Sequence, residues 1–218
     1  MAIHDPLKPT ILSARIIPNV HPDYAKELEL KPNQRSIALI TCNMDDPLYV
    51  AMDEATKMAE VQVVYGQSFY AGSGHASGKL SGEVIGILAG PDPAEVRSGL
   101  NAAIQYCEGE AWFYSASDDD GSAYFAHTVS RSGAFLSNMA GVPEGTSLSY
   151  LISQPIEATY GIDAALKAAE VTMRVWFKPP SETNFGGALL SGSQSACKAA
   201  CQAFADAVLE VASNPLKY

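Results

Sequence analysis

Apolar and polar positions along the chain switch between two periods, and each switch marks an element. Ile11 to Ile17 and Ser36 to Thr41 are short β-rich runs and predict strands. Small apolar residues at helical spacing follow in Asp53-Glu54-Ala55-Thr56-Lys57-Met58-Ala59-Glu60. The pattern then turns β-rich at once in Val61-Gln62-Val63-Val64-Tyr65, so a helix feeds directly into a strand. Gly82 to Gly90 is an apolar strand ending in glycine. Pro93-Ala94-Glu95-Val96 opens a second helix with a proline and an acid in its first turn, as helix starts prefer.

The second half repeats the series. Tyr124 to Ser130 and Ser147 to Ser153 predict strands, Asp163 to Glu170 a helix, Val171 to Val175 a strand, and Gly186 to Gly192 another. Ser193 or Ser195 can cap a last helix running through Cys197 to about Ser213. The segments Asp53 to Val61 and Asp163 to Val171 are identical at six of nine positions, at a constant offset of 110. Each half therefore reads β-β-α-β-β-α, with a Gly/Asp-rich junction near Cys107 to Asp120. The fold class predicted is α+β: two copies of one module, 1–110 and 111–218, each an antiparallel-type sheet with helices on one face.

Composition narrows the function. With 47% hydrophobic and 17% charged residues in 218, the chain has ample material for a core. No apolar run reaches the roughly 18 residues a spanning helix needs, so no membrane partner is expected. A net charge of −10 repels phosphate backbones, and nucleic acid is not an expected partner either. The start, Met1-Ala2-Ile3-His4-Asp5-Pro6, has neither the basic nor the apolar region of a secretory signal, so a cytosolic location is expected. In that setting Cys42, Cys107, Cys197 and Cys201 are reduced thiols. Cys197 and Cys201 share a helix face at a spacing of four but lack a second ligand pair, which favours burial over metal. No nucleophile elbow, phosphate loop, metalloprotease helix or dinucleotide fingerprint occurs, so no enzyme activity and no cofactor are implied.

The copies diverge in their loops. Ser68-Phe69-Tyr70-Ala71-Gly72-Ser73-Gly74-His75-Ala76-Ser77-Gly78-Lys79 is glycine-rich; its counterpart is Lys178-Pro179-Pro180-Ser181-Glu182-Thr183-Asn184-Phe185-Gly186-Gly187. Taken alone, such compositions equally suit ordinary surface hairpins. Asp45-Asp46 stands at a strand-to-helix turn. One of the pair can cap the helix that follows Pro47, but two adjacent carboxylates exceed what a cap requires. Glu83 sits where the chain leaves the first loop. His75 could ligate a metal only with residues from neighbouring chains, so no metal site is assigned, and His127 lies on a strand as a packed residue.

The sequence Asp-Ala-x-x-Lys-Ala-Ala-x-Val at 163–171, followed by strand, loop, apolar strand and Ala-rich helix, resembles the bacterial microcompartment (BMC) shell domain. The resemblance covers both halves. An extra strand, Ala14 to Val20, precedes the strand that usually begins the domain, which marks a circular permutation. Glu157-Ala158-Thr159-Tyr160-Gly161-Ile162, Pro180-Ser181-Glu182-Thr183-Asn184 and Ala196-Cys197-Lys198-Ala199-Ala200-Cys201 are similar to the permuted tandem shell proteins of ethanolamine-utilisation microcompartments.

That resemblance implies a shell tile, located in the microcompartment shell, that assembles as a pseudohexagonal homotrimer beside other shell proteins. It implies a gated central pore lined by the unequal loops, with Lys57 and Lys167 along the tile edge. It also implies ethanolamine as a small-molecule partner, its ammonium held by Asp45, Asp46 and Glu83, with Phe113 beside it and Thr183, Asn184 and Phe185 closing the site. Two other readings remain at this point: an acid–base enzyme using Asp45, Asp46 and Glu83, and a soluble ligand-binding regulatory oligomer of duplicated α+β modules.

Overall fold

The computed structural model describes residues 2–69, 80–118 and 121–217. It divides into two compact units. The N-terminal unit comprises Lys8–Ala111 with Gly133–Leu136; the C-terminal unit comprises Met1–Leu7, Trp112–Ser132 and Ser137–Tyr218.

The chain opens with β1 (Pro6–Leu7), which belongs to the C-terminal unit. The N-terminal unit then runs β2 (Ile11–Ile17), α1 (Pro22–Glu27), β3 (Ser36–Cys42), α2 (Asp45–Met58), β4 (Gln62–Ser68), β5 (Val84–Gly90) and α3 (Pro93–Gly109). Its strands form one antiparallel sheet in the order β2-β3-β5-β4. Leu48, Ala51, Met52 and Ala55 of α2 and Val96, Leu100, Ala103 and Cys107 of α3 bury against Ala38, Ile40 and Leu88, so the two long helices cover one face.

The opposite face is covered too. Ile37, Ile87 and Ala89 pack under Val20, Ala25 and Leu28 of α1 and its flanks. A sheet buried on both sides explains why β3 reads as a continuous apolar run rather than an alternating one. The pattern along the chain gave no sign of α1, because six residues make less than two turns and carry no fully buried side chain. Helices therefore lie on both faces, and the one-face expectation holds for the long pair only.

The C-terminal unit repeats the plan with β6 (Phe113–Ser115), β7 (Ala123–Val129), α4 (Ala134–Ala140, whose first residues to Leu136 belong to the N-terminal unit), β8 (Ser147–Ser153), α5 (Pro155–Ala168), β9 (Val171–Phe177), β10 (Gly186–Gly192) and α6 (Gln194–Ser213). Its sheet order is β1-β6-β7-β8-β10-β9. Leu151, Ala188 and Leu190 of the sheet meet Ile162, Ala165, Phe204 and Val208 of α5 and α6. The duplication extends to irregularities. β4 skips a residue between Val63 and Tyr65 against β5, and β9 skips Arg174 against β10, so Val64 and Arg174 are bulges at the same offset.

The segment after Cys107 is more ordered than its Gly/Asp content suggests. α3 continues to Gly109, and β6 then pairs with β1 and β7. This strand pair extends the C-terminal sheet beyond β7 and has no counterpart among the described residues of the other unit.

Candidate functional site

The helix α2 begins earlier than its repeat motif, at Asp45. Met44 occupies the cap position without a side-chain hydrogen bond, and Asp45 Oδ1 accepts the Asp46 N–H at 2.9 Å. Neither carboxylate is thus the flanking cap that Asp46-Pro47 suggests. Both lie in the first turn, where unpaired N–H groups and the helix dipole favour negative charge. Both are buried, at 8% and 5% exposure.

Glu83 is set beside them by the backbone. Its N–H donates to the Cys42 carbonyl at 2.8 Å, and its own carbonyl accepts from Phe69 at 2.9 Å, which ties it to the end of β3. The preceding Gly82 has φ +68°, and a Cβ there would lie 2.0 Å from the Cys42 oxygen, so only glycine permits this approach. Burial pushes the Glu83 carboxyl above its ordinary value, and the Asp45 charge pushes it further.

The other four predicted site residues belong to the C-terminal unit. Phe113 on β6 packs with its ring centroid 5.2 Å from Phe125 and 6.0 Å from Phe185. The turn leading into β10 is closed by the Ser181 N–H donating to Phe185 O at 2.7 Å and the Asn184 N–H donating to Ser181 O at 3.0 Å. Asn184 takes φ +68°, a conformation asparagine tolerates, and Thr183 Oγ1 lies 3.4 Å from Ser181 Oγ. Thr183, Asn184 and Phe185 therefore form one compact turn against Phe113. His75, with Tyr70 to Lys79 of the first loop, lies outside the described residues. Among the described residues no cluster of three or more His, Cys, Asp or Glu is arranged to hold a metal.

The copies differ most at these positions. α2 and α5 are both 14 residues long, and Pro155 and Ile156 stand in α5 where Asp45 and Asp46 stand in α2. Counting back from β5 and β10, Phe185 stands where Glu83 does. The first copy is acidic where the second is apolar.

The repeated lysines differ as well. Lys167 is 74% exposed in its side chain and pairs with Asp163 at 2.5 Å. Lys57 is 27% exposed, pairs with Glu54 and lies 3.7 Å from the fully buried Asp53. Asp53 was legible only as one identity in the repeat. Its carboxylate accepts the Gly133 N–H at 2.7 Å and the Leu136 N–H at 2.8 Å, while Thr56 Oγ1 accepts from Ala134 at 3.1 Å. Gly133 is required there, since a Cβ would meet Thr56 Oγ1 at 2.4 Å. Burial outweighs these donors and the Lys57 charge, and holds the Asp53 carboxyl above its ordinary value. The four cysteines are buried thiols outside any disulfide. Desolvation raises the Cys201 thiol to about 11.

Two permuted α+β units in one chain, differing chiefly in their loops and helix starts, define a class: the tandem microcompartment shell proteins. The BMC domain family matches residues 36–116. That match starts at the first residue of β3 and leaves β2, the permuted strand, in front of it. The chain is 60% identical to the bacterial microcompartment shell protein EutL of Clostridium perfringens over 99% of both chains. It is 52% identical to EutL of Escherichia coli over 98% of this chain and 97% of that one. The crystal structure of the ethanolamine utilization protein EutL from Leptotrichia buccalis superposes with a TM-score of 0.97 at 60% identity, covering 100% of both chains. The chain belongs to the EutL family of bacterial microcompartment shell proteins. It is a structural component of the microcompartment shell and not an enzyme.

Proposed function

We propose that the chain is a tile of the ethanolamine-utilisation microcompartment shell, that three copies form a pseudohexagon of six sectors, and that its centre is a pore gated by the unequal loops. The two domains, 1–110 and 111–218, supply the sectors. Lys57 and Lys167 lie along the tile edge. In the assembled tile, Asp45, Asp46 and Glu83 hold the ammonium of ethanolamine, Phe113 lies beside it, and Thr183, Asn184 and Phe185 close the site.

The observation that carries the ligand assignment is the state of the three carboxylates. Asp45 and Asp46 are buried in one helical turn, and Glu83 is pushed up by burial and by Asp45. A cation placed among them favours their charged forms, and a neighbouring aromatic ring adds about 0.5–2 kcal/mol of cation–π attraction. A ligand that binds only where these groups meet biases the tile toward the arrangement that brings them together.

Two experiments test this reading. Negative-stain microscopy of concentrated protein should show flat hexagonal sheets, and Lys57→Asp with Lys167→Asp should leave trimers in gel filtration while abolishing the sheets. Normal tiling by the double variant would remove the edge role. Calorimetry with ethanolamine should lose its signal in Asp45→Ala and Glu83→Ala; unchanged affinity in both would remove the site.

A further inference from the structure

The C-terminal unit contains a pocket on the helix face of its sheet, between β6, β7 and α6. Its volume is about 290 Å³, near the lower limit for small-molecule sites. Comparison of the two copies shows how it arises. Counted from the N-caps Asp92 and Ser193, Leu100 and Ile104 of α3 correspond to Cys201 and Ala205 of α6. Counted along β2 and β7, Ile16 corresponds to Thr128. In the first copy Ile16, Leu100 and Ile104 fill this position as part of the core. In the second, three smaller or more polar side chains leave it open, and the additional strand pair β1 and β6 raises a wall of His4 and Tyr114 beside it.

The walls are specific in chemistry. Tyr114 and Tyr124 stack with centroids 5.8 Å apart, presenting an aromatic surface. The Tyr124 hydroxyl is fixed by His4 Nδ1 at 2.9 Å, and its phenol, raised to about 12, stays neutral. On α6 the pocket is bordered by Lys198 and Gln202. Gln202 donates its amide to Asp206 at 2.9 Å, one turn further along the helix. Lys198 lies two turns from Asp206, roughly 12 Å along the axis at 1.5 Å per residue, while the Asp206 charge is felt at Tyr124, so the Lys198 end is the positive end of the pocket. Among the described residues Lys198 has no acidic partner, in a chain whose net charge is −10.

We propose that this pocket binds a small organic anion with a flat apolar body, its carboxylate or phosphate toward Lys198 and its body against Tyr114 and Tyr124. The site is distinct from the acidic one in both place and sign.

The test uses the full-length assembled protein and titrates it with benzoate and phenyl phosphate, with benzyl alcohol and benzylamine as neutral and cationic controls, followed by ligand-observed NMR and calorimetry. At least one anion should bind at least tenfold more tightly than either control. Lys198→Glu, a substitution of an exposed residue, should weaken it at least tenfold. Ala205→Ile, which restores the bulk found in the first copy, should abolish it, and Cys201→Leu serves the same end if Ala205→Ile does not fold. Asp45→Ala should leave anion binding unchanged, which separates this site from the ethanolamine site. Failure of both anions to bind, equal binding of benzylamine, or binding that survives Lys198→Glu and the filling substitution would each overturn the proposal. The relative response to benzoate and phenyl phosphate identifies the anionic group.

Discussion

α2 and α5 have the same length, the same place in the fold and the same aspartate, alanine and lysine in their last two turns, yet they are used differently at both ends. α2 opens on two buried carboxylates; α5 opens on Pro155 and on Ile156, which is 69% exposed. At the other end, Asp53 is buried and binds two backbone N–H groups of Gly133–Leu136, whereas Asp163 faces solvent and holds only Lys167. Identity of sequence between the copies therefore does not mean identity of role. An aspartate kept at the same position accepts backbone N–H groups of Gly133–Leu136 in one copy and pairs locally with Lys167 in the other.

The largest effect expected from this contrast is on stability. Asp53→Ala leaves two buried N–H groups without an acceptor and removes the anion beside Lys57. At 1–3 kcal/mol for each unsatisfied buried group, the loss should be about 3 kcal/mol. Asp163→Ala should leave the denaturation midpoint unchanged within error. Chemical unfolding of both variants decides the matter, and similar losses would mean that the two aspartates do the same work after all.

Much of this architecture was legible in the chain, and the misses have physical causes. The long elements carry whole turns or whole alternations of apolar residues, so β8 and β10 are found where the pattern puts them, at Ser147–Ser153 and Gly186–Gly192. α1 lacked the length to show a period. The start of α2, two residues before Pro47, was not visible because Asp45-Asp46-Pro47 reads as turn chemistry, the residue before a proline being disfavoured in helical geometry, whereas here Asp45 and Asp46 form the first turn. Of the candidate site, the carboxylates were visible as an excess of charge at a turn. The partners of Asp53 were not visible, since Gly133 and Leu136 lie about 80 residues away and contribute only backbone groups.

The next effect concerns ligand binding and tests the helix starts. Asp46→Ile gives α2 the residue that α5 carries, and should weaken ethanolamine at least tenfold, the equivalent of one charge-assisted hydrogen bond of about 1.5 kcal/mol. Ile156→Asp should not create a second site, because its position is exposed and Phe185 stands where the first copy has Glu83. Acid should oppose the ligand in the native protein. The folded Glu83 carboxyl sits above its ordinary 4.5, so it takes up a proton at a higher pH than an ordinary glutamate, and affinity for an ammonium should fall as pH drops through that raised value. The sign for stability is opposite. This group's contribution is full below 4.5 and is lost as pH rises through the folded value. Glu83→Gln should flatten both trends; a pH-independent affinity in the native protein would exclude Glu83 from the site.

The smallest effect separates the two lysines. Lys57 is nearly three-quarters covered and shared between Glu54 and Asp53, so Lys57→Ala should cost about 1 kcal/mol, near the upper end for ion pairs at a surface. Lys167 is solvated apart from its pairing with Asp163, and Lys167→Ala should not move the unfolding midpoint. If both nevertheless stop sheet formation, the edge needs two lysines of unequal mobility, and stability and assembly are separate demands on the same repeat. If only Lys167→Ala stops it, Lys57 belongs to the fold and the tile edge is built from the second copy alone.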